Sequence, residues 1–190
     1  LTDSGVTPAP AWEETDAPAF YIFTSGSSGR RKAVILSQAN LVSNLLDSAP
    51  LGGYAEGDIA LGALPMDHVF GLALLTGALV LPYRLYLTAA TEPEELLRII
   101  TREQITRMNG VPALYLALAG RARPGEVRSL RAGYIGGAPW TAEQFRTIES
   151  TLGITLVPVY GMSECIGISC ASWRAPEAVR MAGVGPFYPA

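Results

Sequence analysis

The strongest constraint on what this chain can fold into is a steady alternation of short apolar runs with longer helical patterns between residues 19 and 159. Runs suited to strands fall at 19–24, 33–36, 58–64, 83–88, 107–110, 132–135 and 155–159. Between them, helical stretches occupy 38–47, 68–79, about 91–102, 112–119 and the residues after Thr141. Several strand runs are apolar at successive positions rather than alternate ones, as expected of strands covered on both faces. Strand-helix-strand order with two-sided burial predicts an α/β fold with a largely parallel sheet flanked by helices on both faces. Helix starts carry their own signals: Ser37 as an N-cap, Thr91 with Glu94 as a capping box, and Thr141 with Gln144 as another. Residues 1–18, with Pro8, Pro10 and Pro18, predict an extended lead-in.

Composition narrows the classes of function. A 190-residue chain that is 49% hydrophobic can bury a sizeable core. Its formal charge of -3, with no basic run, argues against a nucleic-acid partner, which requires clustered Lys and Arg. The longest apolar run, residues 69–81, is broken by Gly71, Thr76 and Gly77 and closed by Pro82; it is too short to span a bilayer and reads as core. Cys165 and Cys170 make neither a disulfide framework nor a zinc site, and both are expected to be reduced and buried. With no signal-peptide pattern, a cytoplasmic protein is expected. A chain that opens on Leu1 and closes on Pro189-Ala190 is also expected to be a piece of something longer.

Ligands of open α/β sheets bind beyond the carboxyl ends of strands, and four polar or glycine-rich strand exits are expected to converge there on one site. The first is Thr24-Ser25-Gly26-Ser27-Ser28-Gly29-Arg30-Arg31-Lys32. Glycines and small hydroxyl residues leave backbone N–H groups open to an oxyanion, and Lys32 adds positive charge, so the loop suits a triphosphate. It is not a Walker A loop, because Arg31 precedes Lys32 and Ala33 follows it. Alone, such a loop serves equally well as a solvated turn; its terminal Arg-Arg-Lys and flanking apolar strands favour phosphate. The second exit, residues 64–71, carries His68, the chain's one histidine. A lone His entering an apolar helix is more often structural than catalytic. The third, Gly136-Gly137-Ala138-Pro139, either lets a flat ligand approach the backbone or makes a tight turn before the helix capped by Thr141. The fourth is Tyr160-Gly161-Met162-Ser163-Glu164, where Glu164 either serves Mg²⁺ or merely opens a surface helix.

Taken in order, the four segments resemble those of the adenylate-forming superfamily: acyl- and aryl-CoA synthetases, peptide-synthetase adenylation domains and luciferases. Thr24 to Gly29 and Lys32 are similar to its phosphate-binding loop, with Arg31 where Pro is usual and Ala33 where Gly is usual. Pro65, His68 and Gly71 are similar to its Pro-x-x-His-x-x-Gly motif, and closest to the CoA-synthetase branch. Residues 160–164 resemble its Tyr-Gly-x-Thr-Glu motif, with Ser163 for Thr, and Pro158 stands where Asn or Gln is common. The tail from Gly183 to Pro189 is similar to its Gly-x-Val-Gly-x-Pro stretch.

The resemblance implies ATP and phosphate binding by Thr24, Ser25, Gly26, Ser27, Ser28, Gly29, Lys32 and Ser163. It implies an adenine and acyl pocket at Gly136, Gly137, Ala138, Pro139, Tyr160 and Gly161, and Mg²⁺ at Glu164. His68, Lys32 and Glu164 would be the catalytic residues. The implied reaction joins a carboxylic acid to ATP as acyl-AMP, then passes the acyl group to a thiol, that of CoA or of an acyl carrier protein's phosphopantetheine. A histidine at position 68, where peptide-synthetase domains carry an ammonium-binding Asp, argues against an amino-acid substrate. On the same ground residues 19–190 are expected to be the central part of an AMP-binding domain. Its N-terminal part and mobile C-terminal domain would be absent, and the fragment alone inactive. Two alternatives stand beside this: a degenerate domain that binds nucleotide without turnover, and a non-enzymatic α/β interaction module.

Overall fold

The computed structural model describes residues 16–24 and 32–188. Strands β1 (Pro18–Thr24) and β2 (Lys32–Ser37) pair antiparallel, with Thr24 opposite Lys32. Ser37 ends β2 and caps α1 (Gln38–Gly52), exchanging hydrogen bonds with Asn40 in a complete capping box. There follow β3 (Ile59–Gly62), α2 (Val69–Val80), β4 (Arg84–Leu87), α3 (Pro93–Arg102) and β5 (Arg107–Met108). After these come α4 (Pro112–Ala119), β6 (Ala132–Ile135), α5 (Ala142–Leu152), β7 (Thr155–Tyr160), β8 (Ser169–Cys170) and α6 (Glu177–Met181). The main sheet runs β4-β3-β5-β6-β7-β8; its first five strands are parallel and β8 is antiparallel to β7.

The alternation of side chains along these strands fills two separate layers. Leu61, Met108, Ile135 and Leu156 point to one face, where they bury Leu96, Leu97 and Ile100 of α3, Tyr115 and Leu118 of α4, and Phe145, Ile148 and Leu152 of α5. Their neighbours Ala60, Tyr134 and Val157 point to the other face, against Leu74 and Phe70 of α2 and Leu51 of α1. Both faces of the sheet are therefore covered, as the uninterrupted apolar strands require.

One buried charge cluster fastens α1 to the sheet. Asp58, fully buried, accepts from the Ala55 N–H at 3.0 Å, the Thr106 hydroxyl at 2.6 Å and the Arg107 guanidinium at 3.1 Å, and also from Arg131. Arg107 in turn donates to the carbonyls of Gly52, at 2.9 Å, and Gly53, capping the carboxyl end of α1. Burial pushes the Asp58 carboxyl up, but the hydrogen bonds from Thr106 and Ala55 and the charges of Arg107 and Arg131 outweigh it and hold it below the usual carboxylate value.

Four expectations are corrected. The 24–32 segment does not leave a parallel strand of the main sheet: β1 and β2 form an antiparallel sheet of their own. Residues 25–31 of that segment, like the lead-in over 1–15, lie outside the described residues. The expected box at Thr91 does not form, since Glu92 is the N-cap without a side-chain bond and Pro93 opens α3. Proline suits the first helical position, where its fixed φ fits the helix and its missing N–H would have no intrahelical partner, so the helix starts at Pro93 and the N-cap falls on Glu92 rather than Thr91. The apolar run 69–81 is buried at its start but surfaces at its end, with Leu79 and Val80 exposed. Finally, Cys170 is buried but Cys165 is half-exposed; both are free thiols. Among the described residues no helix is long and apolar enough to cross a membrane.

Candidate functional site

The chain leaves β3 toward α2 on one face of the sheet and leaves the adjacent strand β5 toward α4 on the other. Diverging connections at neighbouring parallel strands open a crevice at their carboxyl ends, the place where open α/β sheets bind ligands. His68, on the connection after β3, and Asn109, directly after β5, both line a cleft there of about 70 Å³. The ends of the next two strands add Gly137 after β6 and Gly161 after β7, while Val69, Phe70 and Ala73 of α2 supply an apolar wall.

His68 fills two roles at once. Its Nδ1 accepts from the Phe70 N–H at 3.2 Å, so the ring is the N-cap of α2. While Nδ1 accepts, the neutral ring carries its proton on Nε2, which is left available beside the cleft. The turn before it depends on Gly71, where a Cβ would lie 2.1 Å from the carbonyl oxygen of Pro65. The same carbonyl accepts from the His68 N–H at 3.3 Å, so proline, histidine and glycine at this spacing form one compact turn onto a helix. Gly161 has an equivalent function after β7: a Cβ there would meet the Ile166 carbonyl at 1.9 Å. It closes a loop carrying Ser163 and Glu164, in which Ile166 sits at φ 62°, a costly conformation for a β-branched residue.

A second cleft, of about 590 Å³, adjoins the first. Gly137, Ala138, Pro139 and Trp140 form one side, Tyr160 and Gly161 another, and the Met181–Val184 segment a third. That last wall is held by Arg180, which is buried and donates to the Leu156 carbonyl at 2.6 Å and to Glu149 of α5. Tyr160 is 49% exposed and lies at the mouth. Gly137, Val159 and Gly161 line both clefts, so the two meet at the ends of β6 and β7.

The expected site residues divide accordingly. His68, Gly137, Ala138, Pro139, Tyr160 and Gly161 are brought together in the two clefts. Gly136 is buried just behind, packed on the Val159 carbonyl. Thr24 lines a third cleft with Met66 and Asp67, beside His68, and Lys32 is exposed at the start of β2. Ser25, Gly26, Ser27, Ser28 and Gly29 fall outside the described residues. Ser163 and Glu164 stand on the turn after β7 and line neither of the two joined clefts. Among the described residues no three His, Cys, Asp or Glu side chains converge as a ready-made metal site. The exposed Glu164 carboxylate fits the other way of holding Mg²⁺, one carboxylate with a substrate's phosphate oxygens and water. Sequence reasoning missed Asn109, Tyr134, Trp140 and Tyr188 as cleft residues. Asn109 was legible only as the end of a strand, and Tyr134 looked like core.

Known proteins resemble this chain over most of its length. 4-Coumarate–CoA ligase-like 9 of Arabidopsis thaliana is 30% identical over 190 residues, covering 96% of this chain and 34% of that protein. A feruloyl-CoA synthase from an Amycolatopsis species is 32% identical over 184 residues, covering 91% and 36%. Among solved structures, o-succinylbenzoate coenzyme A synthetase from Bacillus subtilis, in complex with ATP and a magnesium ion, superposes with a TM-score of 0.81 at 25% identity. That match covers 91% of this chain and 36% of the other. The chain thus spans about a third of the length of the relatives it matches. The family described as AMP-binding enzyme matches residues 2–190, and the chain belongs to it.

Proposed function

We propose that the chain is the central part of an AMP-binding domain whose full-length protein activates a carboxylic acid with ATP and then transfers the acyl group to a thiol. The observation that carries this reading is the junction of the two clefts at Gly137, Val159 and Gly161. A nucleotide lying against Tyr160 and an acid lying past His68 would bring α-phosphate and carboxylate together at that junction. Positioning of this kind removes much of the barrier to joining two bound reactants.

In this reading a carboxylate oxygen attacks the α-phosphorus of ATP, and pyrophosphate leaves as acyl-AMP forms. A thiol, of CoA or of a carrier protein's phosphopantetheine, then attacks the acyl carbon and AMP leaves. Lys32 and the loop before it neutralise the β- and γ-phosphates, and Ser163 bonds the α-phosphate. Glu164 holds Mg²⁺, which offsets phosphate charge when bound. His68 donates from Nε2 to the carboxylate or the adjacent phosphate oxygen while its Nδ1 stays fixed on α2. We assign the protein to the cytoplasm, consistent with two cysteines that are both free.

Acid-dependent exchange of labelled pyrophosphate into ATP by the full-length protein tests this. Lys32→Ala and Glu164→Ala are each expected to lose about 2–4 kcal/mol of transition-state stabilisation, roughly 30- to 1000-fold in rate. Near-normal exchange in the Glu164→Ala protein would overturn the assignment.

A further inference from the structure

Besides His68 Nε2, the smaller cleft contains one side-chain N–H donor with no use in the fold among the described residues. Most of its polar lining is satisfied within the chain. Asn44 donates to the carbonyls of Cys165 and Gly167, at 3.3 and 2.7 Å. The Ser48 hydroxyl bonds the Leu45 carbonyl at 3.3 Å, the Tyr134 hydroxyl bonds the Ser48 carbonyl at 2.7 Å, and the Tyr188 hydroxyl faces Cys170 and Ser48. Asn109 leaves its donor unused. Its side chain is held through Oδ1, which accepts from the Tyr54 hydroxyl at 3.0 Å. Burial pushes the Tyr54 phenol well up, so it stays protonated and remains a donor. The amide is thereby oriented with Nδ2 turned away from Tyr54, and among the described residues Nδ2 has no partner.

Asn109 is only 3% exposed, yet no sealed side-chain nitrogen or oxygen among the described residues lacks a hydrogen bond. Its free Nδ2 must therefore open onto the cleft that the residue lines. An amide N–H pair in such a place loses about 1–3 kcal/mol if left dry and unpaired. That cost is recovered by whatever acceptor fills the cleft.

We propose that the acid activated by this protein carries an oxygen acceptor that Asn109 Nδ2 reads. The proposal rests on the adenylation reading above and deepens it: Asn109 is the specificity-determining residue, and a purely hydrocarbon acid of the same shape is rejected because it leaves Nδ2 unpaired. A site built to bond a substrate oxygen discriminates strongly against the analogue lacking it.

The test is pyrophosphate exchange by the full-length protein with pairs of acids matched in shape. These are 4-oxopentanoate against 4-methylpentanoate, 5-oxohexanoate against 5-methylhexanoate, and 3- and 4-hydroxybenzoate against the corresponding methylbenzoates. At least one oxygenated member is expected to exceed its methyl counterpart by about tenfold or more in kcat/KM. In Asn109→Leu, similar in volume but without donor or acceptor, that ratio should fall toward one. Asn109→Asp keeps an acceptor for Tyr54 but turns an acceptor toward the cleft; it should reverse the preference in the two oxo-acid pairs, whose ketone oxygen can only accept, which separates recognition from a folding defect. Exchange that favours no oxygenated member, or a preference that survives in both variants, refutes the proposal while leaving adenylation standing. Absence of exchange with every acid refutes the adenylation reading itself, and this proposal with it.

Discussion

The substitution Asp58→Asn keeps the side chain's volume and removes one charge from the buried cluster. Arg107, 2% exposed, would then hold an uncompensated guanidinium, and breaking a buried pair in this way costs about 3–5 kcal/mol. Arg107 keeps the carbonyls of Gly52 and Gly53 and stays over the rings of Tyr54 and Trp173, at 5.4 and 5.7 Å. Those remaining partners place the loss near the lower bound, about 3 kcal/mol, out of the 5–15 kcal/mol typical of a domain. Urea unfolding followed by circular dichroism should show the midpoint falling by about 1–2 M at an m-value near 2 kcal/mol/M. The pH dependence supplies a second reading. The Asp58 carboxyl is held below its ordinary value in the folded state, so its contribution is present above the unfolded pKa of about 3.9 and is lost as pH falls through the lower, folded value. The native chain should lose that contribution in acid, below about pH 4, and the Asp58→Asn variant should lack this part of the acid dependence. A midpoint shift worth less than about 1 kcal/mol at neutral pH, or an unchanged acid dependence, would show that Arg107 does not need its carboxylate.

Two further changes probe how the site is built. Gly71→Ala puts a methyl 2.1 Å from the Pro65 carbonyl oxygen, so the turn carrying His68 must move; a loss of about 1–3 kcal/mol in urea unfolding is expected, and one under about 0.5 would mean the turn gives freely. Thr141→Ala removes the hydroxyl that accepts from the Gln144 N–H at 3.2 Å and should cost about 1 kcal/mol by the same measurement, with Thr141→Ser restoring most of it.

How far the sequence discloses this molecule depends on whether the signal is local. Uninterrupted apolar strands at 132–135 and 155–159 announced burial on both faces because that pattern has few other uses, and β6 and β7 are both interior strands of the sheet. The bounds of α4 were readable because Pro112 can open a helix and Gly120 follows its end. The strand exits at Gly136–Pro139 and Tyr160–Gly161 were readable because glycine and proline mark them. What could not be read was pairing. Nothing in residues 19–24 and 33–36 distinguishes a sheet of their own from two strands of the main sheet, since register and partner are set by tertiary contact. Asn109 and Tyr134 escaped notice for a related reason. Each is a single residue in an apolar strand end, and only the order β3-β5-β6-β7 places both beside His68.

That order also joins stability to recognition. Tyr54 is the shared element: its hydroxyl orients Asn109, and its ring lies beneath the Arg107 guanidinium at 5.4 Å. Its ring centroid is 4.8 Å from that of Tyr83 and 5.8 Å from that of Tyr134, so it is hemmed in on several sides. The ion cluster that ties α1 to β3 and β5 therefore also fixes the floor of the smaller cleft. Such a floor has two physical consequences. The donor at Asn109 is held in place before any acid arrives, so little ordering entropy is lost when the acid binds. And the cleft cannot widen without disturbing Arg107, whose displacement would leave Asp58 buried and unpaired. If the cleft takes the acid as proposed, a stiff floor selects by one fixed hydrogen bond, whereas a deformable one would admit acids of many kinds. The selectivity proposed for the site and the stability of the sheet beneath it would then rest on the same few side chains.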